Sequence, residues 1–148
     1  MSADPPPLSF VDTNIFVYAF ANDDIVRAPI AQDLLDQLMA EQALATSTQV
    51  LQELFVTLTR KGDRRLRAEE VLRALDRIAK FHVFTAGYAA LRQAAELSGR
   101  DAFSFRDALV LVAAARSGAT RLYTEDRQHG RTVLGVEIVN PFRRAGRS

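Results

Sequence analysis

An α/β domain, with a mostly parallel central sheet and helices on both faces, is the fold class this sequence predicts. Short, nearly continuous apolar runs such as Leu8 to Val11 and Val136 to Val139 alternate with longer stretches whose apolar residues recur at helical spacing. Runs of the first kind read as strands buried on both faces, and their alternation with helices makes the strands parallel. The run ends are also polar in a particular way. Asp12-Thr13-Asn14 packs an acid, a hydroxyl and an amide between two apolar runs, Leu8 to Val11 and Ile15 to Ala21. Ligands of parallel sheets collect just past the carboxyl ends of the strands, where Asp12 would sit. Taken alone, the junction reads first as a helix N-cap and second as a catalytic site, because Asp, Thr and Asn all cap well.

The elements follow in order. A strand at 8–11 leads into a short helix that Asn22-Asp23-Asp24 breaks. Pro29 suits a first helical turn, and Ile30, Leu34, Leu35, Leu38 and Met39 support a helix over 29–41. A short strand at 43–47 precedes a helix capped by Thr46 or Ser47. Val50, Leu51, Leu54, Phe55 and Leu58 form its stripe, and Gly62 ends it. A further helix spans 68–80, with Val71, Leu72, Leu75 and Ile78 inward. Residues 81–84 form a strand, and Thr85 can cap a helix carrying Tyr88, Leu91, Ala95 and Leu97 that stops at Gly99. Ser104 opens a Leu- and Ala-rich helix to Gly118, followed by strands at 121–124 and 136–139. The sheet therefore has four to five strands.

Length and composition fit this architecture. A chain of 148 residues, 48% hydrophobic and 25% charged, suits one soluble globular domain with a sizeable core. Residues 1–7, with Pro5-Pro6-Pro7, read as a flexible leader, 8–142 as one domain and 143–148 as a basic tail. No apolar run nears the roughly 20 residues of a membrane helix, and the N-terminus lacks the charge-then-apolar order of a signal peptide. The absence of cysteine excludes disulfide and thiolate chemistry and is compatible with a cytoplasmic location. A net charge of +1 does not announce a nucleic-acid binder. Of the 19 basic residues only Lys61 and Lys80 are lysines, leaving 17 arginines. These cluster at Arg60-Lys61, Arg64, Arg65 and Arg67, and again at Arg143, Arg144 and Arg147. The first cluster reads equally as phosphate contacts and as a solvated loop, whereas the second reads first as a solvated, frayed tail and second as phosphate contacts.

Four acids fall where the predicted sheet would gather a ligand. Asp12 follows the first strand. Glu53 lies one turn into the helix after the second, about 60° outside its apolar arc. Asp107 is the fourth residue of a capping-box spacing, Ser104-Phe-Arg-Asp107, and an acid in a first turn is favoured by the helix dipole without any function. Asp126 ends Leu122-Tyr-Thr-Glu-Asp126, just past another strand, with Glu125 as a possible substitute; Asp126 also suits a turn start. Four converging carboxylates would repel one another, and a hard divalent cation, Mg²⁺ or Mn²⁺, is the usual resolution. Such an ion orients water and offsets charge in displacement at a phosphoryl group. Other schemes lack parts: there is no Gly-rich phosphate loop, and His82 and His129 are too far apart for a zinc helix motif. His82 is read as structural, and His129 as a candidate substrate contact.

With these residues in view, the chain resembles the PIN-domain ribonucleases, and within them the VapC-type toxins of toxin–antitoxin pairs. The matching segments are Val11-Asp12-Thr13-Asn14, Glu53, Phe105-Arg-Asp107-Ala-Leu, Leu122-Tyr-Thr-Glu-Asp126 and Gly135-Val-Glu-Ile-Val-Asn-Pro-Phe142. The resemblance implies a PIN-like three-layer fold and an Mg²⁺- or Mn²⁺-dependent endoribonuclease in which a metal-activated water hydrolyses RNA. It makes Asp12 and Asp107 metal ligands, with Glu53 and Asp126 completing the cluster. Asn14 would orient the acids and Thr124 would shape the pocket. It further implies an RNA substrate, often transfer RNA, a homodimer, and a cognate antitoxin whose tail lies across the acidic cleft. Family members often carry a second acid near Asp107, where this chain has Ser104 and Arg106. Two other readings compete. One is a catalytically silent PIN-like module that binds protein. The other is a haloacid-dehalogenase-like phosphatase, which needs an Asp where this chain has Asn14.

Overall fold

The computed structural model describes residues 6–60, 66–100, 103–125 and 128–143. Its elements run β1 (Leu8–Val11), α1 (Thr13–Ala21), α2 (Arg27–Ala40), β2 (Leu44–Ser47), α3 (Thr48–Thr59) and α4 (Ala68–Ile78). They continue with β3 (His82–Phe84), α5 (Tyr88–Arg100), α6 (Phe105–Arg116), β4 (Ala119–Tyr123), β5 (Thr132–Val133) and β6 (Val136–Val139). The predicted end of α3 at Gly62 lies outside the described residues; within them the helix stops at Thr59.

The sheet has the order β3-β2-β1-β4-β6-β5. Every pairing is parallel except that of β5 with β6. From β1 the chain steps one way to β2 and β3, then returns to place β4 on the other side of β1. Right-handed crossovers put helices on one face during the outward steps and on the other during the return. The packing agrees: α1 lies against α2 and α3, and α3 against α4, while α5 packs on α6. The reversal between β1 and β4 is a topological switch point, and their carboxyl ends frame the crevice where such sheets hold ligands.

The core explains why the crevice is rigid. Phe10 and Val11 of β1, Leu44 and Ala45 of β2, and Ile15 and Phe16 of α1 are fully buried. Helix α6 is buried almost all round, from Ala108 to Ala114, as expected of a helix held between a sheet and a second helix. Its first turn is thereby fixed at the crevice. Helix α3 buries Val50, Leu54 and Leu58 and leaves its Glu53 edge half-open.

The sheet has six strands where the spacing predicts four to five. Strand β5 is two residues long, too short for a periodic signal, and forms a hairpin with β6 through Leu134 and Gly135. Both turn residues have positive φ, 53° and 77°, as a two-residue turn of type I′ requires. Leu72, assigned inward by periodicity, is 51% exposed instead, and Tyr88 and Leu91 of α5 are 76% and 40% exposed. Leu72 directly follows buried Val71, and α4 presents only a narrow seam, Val71, Ala74 and Ile78, to its neighbours.

Candidate active site

Asp12 ends β1 and is itself the N-cap of α1. Its backbone is extended (φ −81°, ψ 165°), and its Oδ1 accepts from the Thr13 N–H at 2.7 Å. Thr13 starts the helix as the sequence suggests, but the capping side chain is that of Asp12. Its other oxygen, Oδ2, accepts from the Thr124 hydroxyl at 2.8 Å, which joins the ends of β1 and β4 across the switch point. Asp12 is 4% exposed, so its charge is held by the protein rather than by water.

Glu53 arrives from α3 and accepts from the Thr13 hydroxyl at 2.7 Å. Ser47 caps α3, its hydroxyl accepting from the Val50 N–H, and so sets the angle at which Glu53 projects. Asp107 stands in the first turn of α6, where the Ser104 hydroxyl accepts from the Asp107 N–H at 3.1 Å. The Asp107 carboxylate, half-buried, accepts from Arg106 Nη1 at 3.3 Å.

Arg106 is the residue that gathers the three acids. Its Nη2 and Nη1 donate to Asp12 Oδ1 and Oδ2 at 2.8 and 3.1 Å. Its Nη2 and Nε donate to Glu53 Oε1 and Oε2 at 2.6 and 3.1 Å. Nη2 also donates to the Thr13 hydroxyl at 3.1 Å. Two carboxylates are thus held by the two-point geometry that a guanidinium favours. Burial works against the charged form of Arg106, but hydrogen bonds and charge attraction from Asp12 and Glu53 outweigh it and raise its pKa further above the ordinary arginine value.

The remaining predicted residues fall at varied distances from this centre. Asn14 Nδ2 donates to the Thr124 hydroxyl at 3.4 Å, and its Oδ1 accepts from the Glu125 N–H at 3.4 Å. Among the described residues it thus reaches the Asp12 carboxylate through Thr124, which is 3% exposed at the end of β4. Asp126 lies outside the described residues. Glu125 points elsewhere: its carboxylate accepts from the Tyr18 hydroxyl and from Arg27 Nε. The reading of Glu125 as a substitute is thereby met with a carboxylate already committed. His129 Nδ1 accepts from the Asn140 N–H at 2.9 Å, a bond that ties its turn to the end of β6. His82 is exposed at the start of β3. Arg67 precedes α4 and pairs with Glu69 and Glu70 of that helix, while Lys61, Arg64, Arg65, Arg144 and Arg147 lie outside the described residues.

Beside the acids runs a groove of about 680 Å³ between α1 and α3, lined by Asn14, Val17, Tyr18, Glu53, Val56, Arg60 and Arg106 among others. Apolar Val17 and Val56 line it together with the charged Glu53, Arg60 and Arg106.

Comparison with known proteins places this geometry. The family model of the PIN domain matches residues 9–133. The chain belongs to the PIN domain family. No curated protein sequence matches it. Among solved structures, this PIN domain is similar to VapC20 of Mycobacterium tuberculosis, a toxin described as cleaving the sarcin-ricin loop. Identity is 25%, the TM-score 0.63, and the match covers 80% of this chain and 90% of the other. A toxin–antitoxin complex from Klebsiella pneumoniae is 18% identical, with a TM-score of 0.65 over 90% and 97% of the two chains. DNA-bound VapBC from Salmonella typhimurium is 15% identical, with a TM-score of 0.64 over 90% and 97%. The last two likenesses show the fold.

The donor chemistry of the PIN centre suits a hard divalent cation. Asp12, Glu53 and Asp107 offer carboxylate oxygens only, and all three reach a single cationic group. That group is Arg106. With its guanidinium between them, no three acids or histidines among the described residues are gathered closely enough to ligate one ion. Sequence reasoning noted Arg106 only as standing where relatives often have an acid, and missed Thr13 as a partner of Glu53. Thr13 had a signal, a hydroxyl inside the polar junction. Arg106 had none, because periodicity does not show where a long side chain reaches.

Proposed function

We propose that this PIN domain is a divalent-cation-dependent endoribonuclease acting as the toxin of a toxin–antitoxin pair. The observation that carries the reading is the convergence of Asp12, Glu53 and Asp107, from three separate elements, at the switch point of a PIN-fold sheet. Three carboxylates that each reach one guanidinium would repel one another without a cation to compensate them. Membership of the family and likeness to toxin structures support the same reading.

In this account Asp12, Glu53 and Asp107 hold Mg²⁺ or Mn²⁺, with Asp126 as a fourth acid. A cation held by these acids would supply positive charge to offset the phosphodiester oxygens and would activate water for hydrolysis. Thr124 fixes the Asp12 carboxylate through its hydroxyl, and Asn14 holds Thr124 in turn. Thr13 fixes Glu53. The groove beside the acids receives the RNA strand, transfer RNA being one substrate of suitable structure, with Arg60 at its rim to meet phosphate. A cognate antitoxin covers the same cleft when the toxin is silent, the chain pairs with a second copy, and its place of action is the cytoplasm. No helix among the described residues is long and apolar enough to cross a membrane.

The test is cleavage of purified cellular RNA in Mg²⁺ or Mn²⁺, followed by sequencing of the new 5′ ends. Activity that disappears in EDTA and in Asp12→Asn supports the reading; cleavage surviving either change overturns the metal mechanism. One observation favours a second reading, a silent PIN module that binds protein: Arg106 already spans the acids. Absence of any divalent-cation binding by the purified protein would favour that module.

A further inference from the structure

Arg106 stands at N2 of α6, next to Asp107 in the chain, and inside the cluster rather than behind it. All three of its guanidinium nitrogens are engaged, and they satisfy both oxygens of Asp12 and both of Glu53. Yet the charges do not balance. Three carboxylates carry three negative charges and the guanidinium one positive, which leaves two uncompensated. A divalent cation compensates better and is smaller, so the acids would close on it more tightly than on a planar guanidinium. The two cannot share the space, since Nη2 lies within 2.8 Å of oxygens from both Asp12 and Glu53. An exit exists. The Arg106 side chain is 37% exposed and lines the open groove between α1 and α3, so rotation about its own bonds can release it without moving α6.

We propose that Arg106 is the chain's own counter-ion for the acidic cluster, seated where a divalent cation binds, and that cation loading requires the guanidinium to swing out into the groove. This rests on the reading of Asp12, Glu53 and Asp107 as cation ligands. Arg106 holds the carboxylates together in the cation-free protein and lowers apparent cation affinity by the fraction of time it occupies the centre. The domain then loads only above a threshold of free cation, and anything that draws Arg106 into the groove, such as an RNA phosphate, favours loading.

The test is Mn²⁺ binding by the full chain, measured through the paramagnetic resonance signal of the free ion, for the wild type, Arg106→Gln and Asp12→Asn. Arg106→Gln should bind roughly ten- to hundredfold more tightly than wild type, the range that hydrogen bonds to charged groups carry. Asp12→Asn should lose binding. Equal or weaker binding by Arg106→Gln overturns the counter-ion role and leaves the cation site standing, with Arg106 as a scaffold. No binding by the wild type or by Arg106→Gln overturns the cation site itself. Should Arg106→Gln fail to fold, the wild type still decides the matter through its arginine Nε–H resonances, with Arg106 assigned by its loss in Arg106→Lys. Saturating Mg²⁺ should move that resonance to the position of solvent-exposed arginines. An unmoved resonance, while the Asp12 and Asp107 amides shift, contradicts the proposal.

Discussion

Asp12 carries two duties that a single substitution can separate. Its Oδ1 caps α1 through the Thr13 N–H, and its charge meets Arg106 and, in our account, the cation. Asn keeps a side-chain oxygen for the cap and loses the charge. Asp12→Asn should therefore keep the fold while lowering RNA cleavage by more than about a hundredfold, the upper end of what changes behind metal ligands cost. Asp12→Ala should lose the cap as well and fall about a further 1 kcal/mol in urea unfolding relative to Asn. Equal stability of the two would mean the cap contributes nothing. At this scale the sequence was partly legible. Asp12 and Asp107 are marked by position, at a strand end and in a first helical turn, whereas the commitment of Glu125 to Tyr18 and Arg27 depends on contacts about a hundred residues apart along the chain.

Among elements, α3 and α4 show how far periodicity reaches. Leu54 of α3 is fully buried, on the face that turns Glu53 toward the crevice, while Leu72 of α4 is 51% exposed. Leu54→Ala should cost about 2–5 kcal/mol by chemical denaturation, and Leu72→Ala about 0.5 kcal/mol or less. A large effect at Leu72 in the isolated chain would contradict its exposed position. The apolar period identified both helices but overstated the buried face of α4, because that helix meets its neighbours along one seam only. Strand β5 escaped notice for a different reason. Two residues carry no alternation, and Leu134 at positive φ lacks the Asn or Gly that usually marks a tight hairpin turn.

The whole molecule is tied together near the site by a cluster drawn from distant segments. Tyr18 of α1, Arg27 of α2, Glu125 after β4 and Phe142 past β6 meet there. Arg27 lies over both rings, 5.6 Å from each centroid, and the two rings pack edge to face at 5.2 Å. Burial first, and then the hydrogen bond to Glu125, push the Tyr18 phenol up to about 12. A phenol whose folded value exceeds its ordinary 10.0 holds its proton more tightly in the folded chain. Its contribution is complete below pH 10 and is lost as pH rises toward about 12. Stability measured against pH should drop more steeply across that window in the wild type than in Tyr18→Phe. Parallel curves would show that neither burial nor Glu125 raises the phenol in the folded chain. The parallel orientation of β1, β2 and β4 followed from apolar runs alternating with helices, but this closing cluster did not, since it joins single residues from four segments.

The central claim is that the acids around Asp12 form a divalent-cation centre from which Arg106 must withdraw. Anomalous diffraction from crystals soaked in Mn²⁺ tests it most directly. One strong peak is expected among the carboxylates of Asp12, Glu53 and Asp107, with the Arg106 guanidinium displaced into the groove between α1 and α3. A peak elsewhere, or Arg106 still bridging the acids at a Mn²⁺ concentration that supports RNA cleavage, would contradict it.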